Sequence, residues 1–322
     1  MKQFLNFWAL VFCIAFTATP SHAAEIEKHT MIHNGITREF WVYDPRAQAG
    51  QIASEKPRPL LITLHGGGGT AERFSKMLNG NTSINALADK EDFVVVYPQG
   101  IDKHWNDGRG VEHIKTQAQN LDDVGFISAL IDHMTADKAI DTKRIYATGP
   151  SNGGFMSNRL ACALSDKIAA VGIVIATMPW KMEPECTPSH PVSVLIMNGT
   201  KDPLVPFDGG DVGFGKNGKS RGKILSTEKT FGFWLQQAGY TKPPQSLLRT
   251  TLPDKDPNDK TRVYLQSYDG EAASVVLYTV EGGGHTWPGG RQTPLSIIVG
   301  TTSQDINATE VIWDFLKKHP KP

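Results

Sequence analysis

The chain has 322 residues, of which 39% are hydrophobic and 20% are charged, a composition typical of a folded globular protein and not of a disordered one. Its 33 basic side chains balance 33 acidic ones, so the formal charge is zero when the histidines are neutral. The chain therefore lacks the net positive charge that is typical of proteins that bind nucleic acid or an anionic membrane surface.

The first 23 residues are predicted to be a secretory signal peptide that is cleaved after Ala23. Lys2 precedes an apolar run over residues 4–16, and the small-residue site Ser21-His22-Ala23 follows. The run is shorter than the roughly 20 apolar residues of a spanning helix, which argues against a membrane anchor. Cleavage removes Lys2 and leaves 32 basic and 33 acidic side chains. We therefore expect an exported protein, extracellular or periplasmic, that is not held at a membrane.

Beyond this segment, an edge hairpin is predicted within residues 25–49, and short apolar strands then alternate with longer helices. This alternation predicts βαβ units, an α/β fold, and a mainly parallel sheet covered by helices on both faces. We expect one domain over residues 24–322, because no repeat or low-complexity linker divides the chain. The predicted strands are 39–43, 60–64, 93–97, 144–148, 170–175, 192–197, 262–268 and 274–280. The predicted helices are 74–90, 123–136, a helix ending at 164, 226–237 and 307–318.

Two cysteines follow the signal segment, Cys162 and Cys186. In an oxidising compartment an even pair favours a disulfide, here between the helix that ends at residue 164 and the loop after the next strand. Two buried free thiols are the alternative, because a sequence does not show the separation of the sulfur atoms.

The run Gly149-Pro150-Ser151-Asn152-Gly153 matches the G-x-S-x-G pattern of a nucleophile elbow. A serine on such a strand-to-helix turn takes a strained backbone conformation, and the flanking glycines leave room for the chain to double back. The serine Oγ is then exposed at the helix N-terminus, with the Asn152 amide directed at any oxyanion that forms. The alternative is a chance match in a glycine-rich chain. The other residues of a catalytic site, if the sequence contains them, therefore decide whether this run is a nucleophile elbow.

Candidates for an orienting acid and a base follow Ser151 along the chain. Asp202 lies in a loop at the end of strand 192–197, where a triad acid is expected, although an ordinary turn aspartate would look similar. His285 lies in the glycine-rich loop after strand 274–280, and of the ten histidines it alone follows both other residues in such a loop. A structural or surface histidine is its alternative role. The order serine, aspartate, histidine is that of the α/β-hydrolases.

Donors for an oxyanion are predicted in the run from His65 to Gly69, directly after the buried strand 60–64. This run matches the H-G-G-G pattern, whose unhindered amides can turn toward a bound carbonyl. We assign Gly67 as the first donor and Asn152 as the second. A phosphate-binding glycine loop is the alternative, but neither G-K-[ST] nor a G-x-G-x-x-G fingerprint supports it.

Four further blocks accompany these motifs: Tyr97-Pro-Gln-Gly, Trp105-Asn-Asp-Gly-Arg, Asp122-Asp-Val-Gly-Phe and Gly283-Gly-His-Thr-Trp-Pro-Gly-Gly. With them, nearly the whole mature chain resembles the secreted polyhydroxybutyrate depolymerase and feruloyl esterase family of α/β-hydrolases. The resemblance implies a serine esterase that uses no metal or other cofactor. Depolymerases of this group tend to have cysteine after the oxyanion His-Gly, where this chain has Gly67.

Two classes of ester substrate fit this resemblance. The sequence does not decide between a monomer and a homodimer. A feruloyl, acetyl or other short acyl ester, such as one on plant cell-wall carbohydrate, is favoured by Gly67 and by the expected lack of a module that holds insoluble polymer. Polyhydroxybutyrate or its oligomers are the alternative. A serine peptidase of the prolyl oligopeptidase kind and a non-catalytic binding protein are less favoured. The chain is too short for a gating domain, and all three triad residues are present.

Several residues near these motifs have both a structural and a functional interpretation. Trp105 and Trp287 either line a substrate pocket or belong to the core. Asp122 and Asp123 are expected to cap a helix, with support of the catalytic loop as the alternative. The segment 208–222 is expected to be a solvated loop, with a mobile lip over the site as the alternative.

Overall fold

The computed structural model describes residues 25–47, 56–213, 219–292 and 296–322. The predicted signal peptide, with its cleavage site after Ala23, lies outside the described residues, and so does the stretch 214–218 of the predicted loop. None of the helices in the described ranges is long and apolar enough to cross a membrane.

The described strands form one large sheet of ten strands and one two-stranded hairpin. In chain order the strands are β1 (Glu27–His33), β2 (Ile36–Tyr43), β3 (Arg58–Thr63), β4 (Val94–Pro98), β5 (Ile140–Pro150), β6 (Ala170–Val174), β7 (Ser193–Gly199), β8 (Gly210–Asp211), β9 (Lys223–Ile224), β10 (Thr250–Thr251), β11 (Arg262–Asp269) and β12 (Ser274–Glu281). The order across the large sheet is β1-β2-β4-β3-β5-β6-β7-β12-β11-β10, and β8 pairs with β9. The central strands from β4 to β12 are parallel, whereas antiparallel strands extend both edges. The predicted mainly parallel sheet is confirmed.

Helices cover both faces of this sheet, as the alternation of strands and helices predicts. They are α1 (Ala71–Met77), α2 (Ile84–Glu91), α3 (Lys115–Ala118), α4 (Asp123–Asp137), α5 (Asn152–Ala163), α6 (Thr227–Gln237), α7 (Ser296–Val299) and α8 (Ala308–Leu316). Successive side chains of β3 point to opposite faces, so Leu60 joins the core under α4, α5 and α6, and Leu61 joins the core under α1, α2 and α8. A sheet buried on both faces explains why its central strands read as nearly continuous apolar runs.

The prediction of one helix over residues 74–90 is wrong. Two helices, α1 and α2, occupy this region, with a 3-10 turn at Gly80–Thr82 between them. Gly80 has a φ of 57°, a left-handed conformation that glycine adopts without steric cost and that interrupts a right-handed helix. Ser83 then begins α2, because its side chain accepts a hydrogen bond from the N–H of Ala86 at 3.2 Å.

The disulfide between Cys162 and Cys186 is confirmed, with the two Cα atoms 5.2 Å apart. It joins the last turn of α5 to the segment that leads into β7. Because α5 starts at the turn that carries Ser151, the bond fixes the far end of the helix that begins at the candidate site.

Candidate active site

Four loops at one edge of the sheet carry the predicted site residues. The glycine run follows β3, Ser151 follows β5, Asp202 follows β7 and His285 follows β12. The strands β3 and β5 are neighbours, β7 and β12 are neighbours, and only β6 separates the two pairs. Because these strands are parallel, their carboxyl ends lie at the same edge, where ligands bind in open α/β sheets.

Ser151 has the strained backbone expected of a nucleophile elbow, with φ 55° and ψ −120°. The two flanking glycines are required by close packing. A Cβ on Gly149 would lie 2.3 Å from the carbonyl oxygen of Leu64, and a Cβ on Gly153 would lie 2.1 Å from the same oxygen. Both distances are far below van der Waals contact, so any side chain at either position would push β5 and α5 away from the end of β3.

His285 and Asp202 form a direct hydrogen bond, with 2.7 Å between Nδ1 and Oδ2. The other carboxylate oxygen of Asp202 accepts the backbone N–H groups of Leu204 and Val205, each at 2.8 Å. A carboxylate only accepts hydrogen bonds, so Nδ1 of His285 carries the proton that the pair shares. Neutral His285 therefore has its free lone pair on Nε2, which is the atom a general base needs.

A cavity of about 850 Å³ opens at this edge of the sheet. Ser151, His285, Gly67 and Asn152 all line it, and Asp202 lies behind His285. The volume is within the usual range for a pocket that binds a small molecule. The structure thus brings together the residues that the sequence nominated for nucleophile, base, acid and oxyanion donors.

Two hydrogen bonds fix the orientation of the peptide group between Gly66 and Gly67. The carbonyl oxygen of Gly66 accepts from Nδ1 of His65 at 2.9 Å and from the N–H of Gly69 at 3.0 Å. In a trans peptide the C=O and N–H groups point in opposite directions, so the N–H of Gly67 is directed away from these donors. Among the described residues it donates to no protein acceptor, which leaves it available to an oxyanion.

His65 forms both of its hydrogen bonds to the backbone only as a neutral imidazole. Its Nδ1 donates to Gly66, while its Nε2 accepts the N–H of Gly100 at 3.0 Å. Burial lowers the pKa of His65 from 6.5 to about 4, because desolvation disfavours the charged ring. At neutral pH the ring therefore has the one donor and one acceptor that these bonds need.

The side chain of Asn152 belongs to a buried polar network behind the site. Its Oδ1 accepts the N–H of Trp105 at 2.8 Å, and its Nδ2 donates to Oδ2 of Asp107 at 2.5 Å. Arg109 pairs with the same carboxylate at 2.7 Å. From the sequence we had assigned a role only to the backbone amide of Asn152 and had missed Asp107 and Arg109. An acidic and a basic residue on either side of a glycine, as in the block Trp105-Asn-Asp-Gly-Arg, could have indicated this ion pair.

The two candidate tryptophans have different positions. Trp105 is fully buried, its Nε1 donates to the carbonyl of His65 at 3.0 Å, and it is not among the described residues that line the cavity. It therefore supports the glycine loop from beneath, as a core aromatic does. Trp287 does line the cavity, and its Nε1 donates to the hydroxyl of Thr309 at 3.1 Å.

Asp122 and Asp123 have separate roles. Asp122 caps α4 by accepting the N–H of Gly125 at 2.8 Å. Asp123 is buried, pairs with Arg38 at 2.7 Å and accepts the N–H of Asn106 at 2.7 Å. The first residue is thus the predicted helix cap, and the second fixes the loop that contacts Asn152.

The described part of segment 208–222 borders the cavity through Val212, Gly213 and Arg221. The carbonyl of Arg221 accepts from Nη1 of Arg109 at 2.9 Å, which ties this segment to the buried network.

Fold and site together define an α/β-hydrolase, and comparison with known proteins gives the family. Residues 45–180 match the family model described as esterase PHB depolymerase. The protein named putative esterase NocK, from Nocardia uniformis subsp. tsuyamanensis, is 30% identical over 286 residues, which cover 88% of this chain and 80% of NocK. The chain belongs to the polyhydroxybutyrate depolymerase and feruloyl esterase family, and it is a carboxylic ester hydrolase.

Two further comparisons bear on the relatives and on the fold. Feruloyl esterase B of Piromyces equi is 28% identical over 276 residues, which cover 84% of this chain but only 44% of that protein. The chain thus spans less than half the length of this relative. The solved acetyl xylan esterase of Aspergillus awamori matches with a TM-score of 0.51 and 13% identity, over 79% of this chain and 92% of that one. At this identity the likeness supports the fold alone.

Proposed function

We propose that the protein is an exported serine esterase with Ser151, His285 and Asp202 as its catalytic triad, built on one catalytic domain over residues 24–322. The observation that carries the proposal is the 2.7 Å hydrogen bond between His285 and Asp202 beside a cavity that Ser151 lines. Export is supported by the signal-peptide pattern of the first 23 residues and by the disulfide, since such bonds persist in oxidising compartments.

In the first step, Nε2 of His285 takes the proton of Ser151 as Oγ attacks the ester carbonyl carbon. The carboxylate of Asp202 holds the ring in the required tautomer and stabilises the imidazolium that forms. The two oxygens of Asp202 accept hydrogen bonds from three N–H donors, which hold the carboxylate in place behind the ring.

The carbonyl oxygen becomes an oxyanion, and the N–H groups of Gly67 and Asn152 donate to it. Their orientation is set before the substrate arrives, since His65 fixes the Gly67 peptide and α5 fixes the Asn152 amide. The tetrahedral intermediate then collapses, and the alcohol leaves with the proton from His285. Water attacks the acyl-enzyme by the same sequence and releases the acid.

The substrate class that we favour is a feruloyl, acetyl or similar short acyl ester, including those on plant cell-wall carbohydrate. The names of the feruloyl esterase relatives support it, and so does Gly67 at the position where depolymerases of the group tend to have cysteine. Trp287 is a mostly buried core residue that also lines the cavity, and the part of its ring exposed there is an apolar contact for an acyl chain, an aromatic ring or a sugar. Polyhydroxybutyrate oligomers are the second candidate substrate. The description of the matching family model, esterase PHB depolymerase, supports this candidate.

Initial rates of the wild-type protein and of Ser151→Ala test this proposal. The substrates are methyl ferulate, p-nitrophenyl acetate and butyrate, a 3-hydroxybutyrate trimer and a peptide amide. We expect ester hydrolysis by the wild type and a loss of about 10⁴-fold or more in kcat for the variant, with circular dichroism and Tm unchanged. Ser246→Ala is the matched control, an exposed serine away from the cavity.

A variant at Ser151 that keeps wild-type rates would contradict the assignment of the nucleophile. Preference for the trimer over methyl ferulate and the acetate would favour the polyester alternative. Cleavage of the amide without cleavage of any ester would overturn both ester assignments.

A further inference from the structure

The residues that line the cavity carry five cationic side chains and, within the described part of the chain, no carboxylate. The cationic residues are Arg73, Lys76, Arg109, Arg221 and Arg291. The whole chain has as many acidic as basic side chains, 33 of each. The positive charge at the cavity is therefore a local segregation and not a consequence of composition.

Three of these cations form no ion pair with a carboxylate in the described part of the chain. Lys76 pairs with Glu72 at 2.8 Å, and Arg109 pairs with Asp107 at 2.7 Å. Arg73, Arg221 and Arg291 are exposed, and none of them forms an ion pair with a carboxylate among the described residues. They are thus free to bind an anion at the mouth of the cavity.

The positions of Arg73 and Arg291 follow directly from loops of the site. Arg73 lies in the first turn of α1, just after the glycine run that supplies Gly67, and its N–H donates to the capping hydroxyl of Thr70 at 3.2 Å. Arg291 follows the loop of His285, where the carbonyl of Gly290 accepts from the side chain of Gln304 at 2.9 Å.

Arg221 is placed by the buried network behind the oxyanion site. Its carbonyl accepts from Nη1 of Arg109 at 2.9 Å, and the same guanidinium pairs with Asp107. Asp107 in turn accepts from the side chain of Asn152 at 2.5 Å. One chain of hydrogen bonds therefore connects the side chain of Asn152 to the backbone of Arg221.

We propose that the preferred substrate of this site is an ester that also carries a carboxylate, which Arg73, Arg221 and Arg291 bind. A guanidinium matches a carboxylate in charge and can donate two parallel hydrogen bonds to it. A cleft lined by one sign of charge also attracts ligands of the opposite sign and accelerates their encounter. The inference rests on the proposed esterase function and narrows its substrate class.

The carboxylate can belong to either half of the ester. On the acyl side it would be the second acid group of a dicarboxylic half-ester or the free end of a hydroxy acid oligomer. On the alcohol side it would be the acid group of a uronic acid or of a hydroxybenzoate. Both sources present the same anion to the three arginines, so matched substrates must distinguish them.

Two pairs of substrates test the proposal, each with one anionic and one neutral member. The acyl-side pair is p-nitrophenyl hydrogen glutarate and its methyl ester, and the alcohol-side pair is 4-acetoxybenzoate and its N-methylamide. Each rate is corrected by subtracting the enzyme-free rate of the same ester at the assay pH, because the free carboxylate of the glutarate half-ester can itself attack the neighbouring ester carbonyl. At low ionic strength we expect a preference of roughly tenfold or more for the anionic member of at least one pair. The pair that shows it identifies the half of the ester that bears the carboxylate.

The preference should fall as salt is added, because exposed charges are screened. It should also fall by about tenfold in the triple variant Arg73→Gln, Arg221→Gln, Arg291→Gln. The matched control is Lys90→Gln, Lys242→Gln, Lys318→Gln, which removes the same charge at exposed positions that do not line the cavity. We expect the control to keep the wild-type preference.

Equal or faster hydrolysis of both neutral members by the wild type would overturn the proposal, and so would an equal loss of preference in the control. Failure to hydrolyse any of the four esters, anionic or neutral, would contradict the esterase function itself. The two failures are therefore separated within one set of assays.

Discussion

Asn152 contributes to the site through two separate groups. Its backbone N–H stands at the start of α5, next to Ser151, where it can donate to an oxyanion. Its side chain is buried and bonded to Trp105 and Asp107. The side chain therefore fixes the residue whose main chain acts, and a replacement that lacks the amide would leave the Asp107 carboxylate with one donor fewer.

His65 predicts a specific dependence of stability on pH. Burial holds its pKa at about 4 in the folded protein, against 6.5 for an unperturbed ring. Below pH 6.5 the unfolded chain binds a proton that the folded protein does not, so the free energy of unfolding falls as the pH falls toward 4. The contribution of His65 is fully present above pH 6.5, and its loss amounts to roughly 3 kcal/mol by pH 4.

Urea unfolding at a series of pH values checks this prediction. We expect His65→Gln to be less stable than the wild type near neutral pH and to lose less stability on acidification. His113→Gln is the control, because His113 is exposed. An equally steep loss in His65→Gln would show that other groups cause the acid sensitivity.

At the scale of elements, the disulfide anchors α5 to the segment before β7. It links positions separated by 24 residues, a loop for which removal of the bond is expected to cost about 3 kcal/mol of unfolding free energy. We predict a loss of this size in Cys162→Ser, Cys186→Ser, measured by denaturant unfolding. Reductant should destabilise the wild type by a similar amount and leave the double variant unchanged. A fully reduced wild type with unchanged stability would contradict this role.

The elements that the sequence predicted best have both an apolar stripe and a cap. The helix α6 follows Ser226, whose side chain accepts the backbone N–H of Lys229 at 3.1 Å. The helix α8 follows Asn307, whose side chain accepts the backbone N–H of Thr309. The break at Gly80 was missed, because apolar residues continue on both sides of a glycine that an uninterrupted helix also tolerates. The two-residue strands β8, β9 and β10 are too short to show any alternation.

At the scale of the whole molecule, the parallel sheet explains why the order of motifs was sufficient to nominate a triad. Ser151, Asp202 and His285 are far apart in the chain, but each follows a parallel strand, and all such strands end at one edge. The charge segregation at the cavity could not be predicted in this way. It arises because residues from three separate loops line one cavity, and an electrically balanced composition gives no sign of it.

The most direct test of the central claim, that Ser151 is the nucleophile of an ester hydrolase, is to locate a covalent adduct. The protein is treated with a fluorophosphonate, which phosphonylates activated serines, and the modified residue is identified by mass spectrometry of the digested chain. We predict one adduct on Ser151, a loss of esterase activity in proportion to labelling, and no adduct at that peptide in Ser151→Ala. Inactivation that accompanies labelling of a different residue, or full activity in protein completely labelled at Ser151, would contradict the claim.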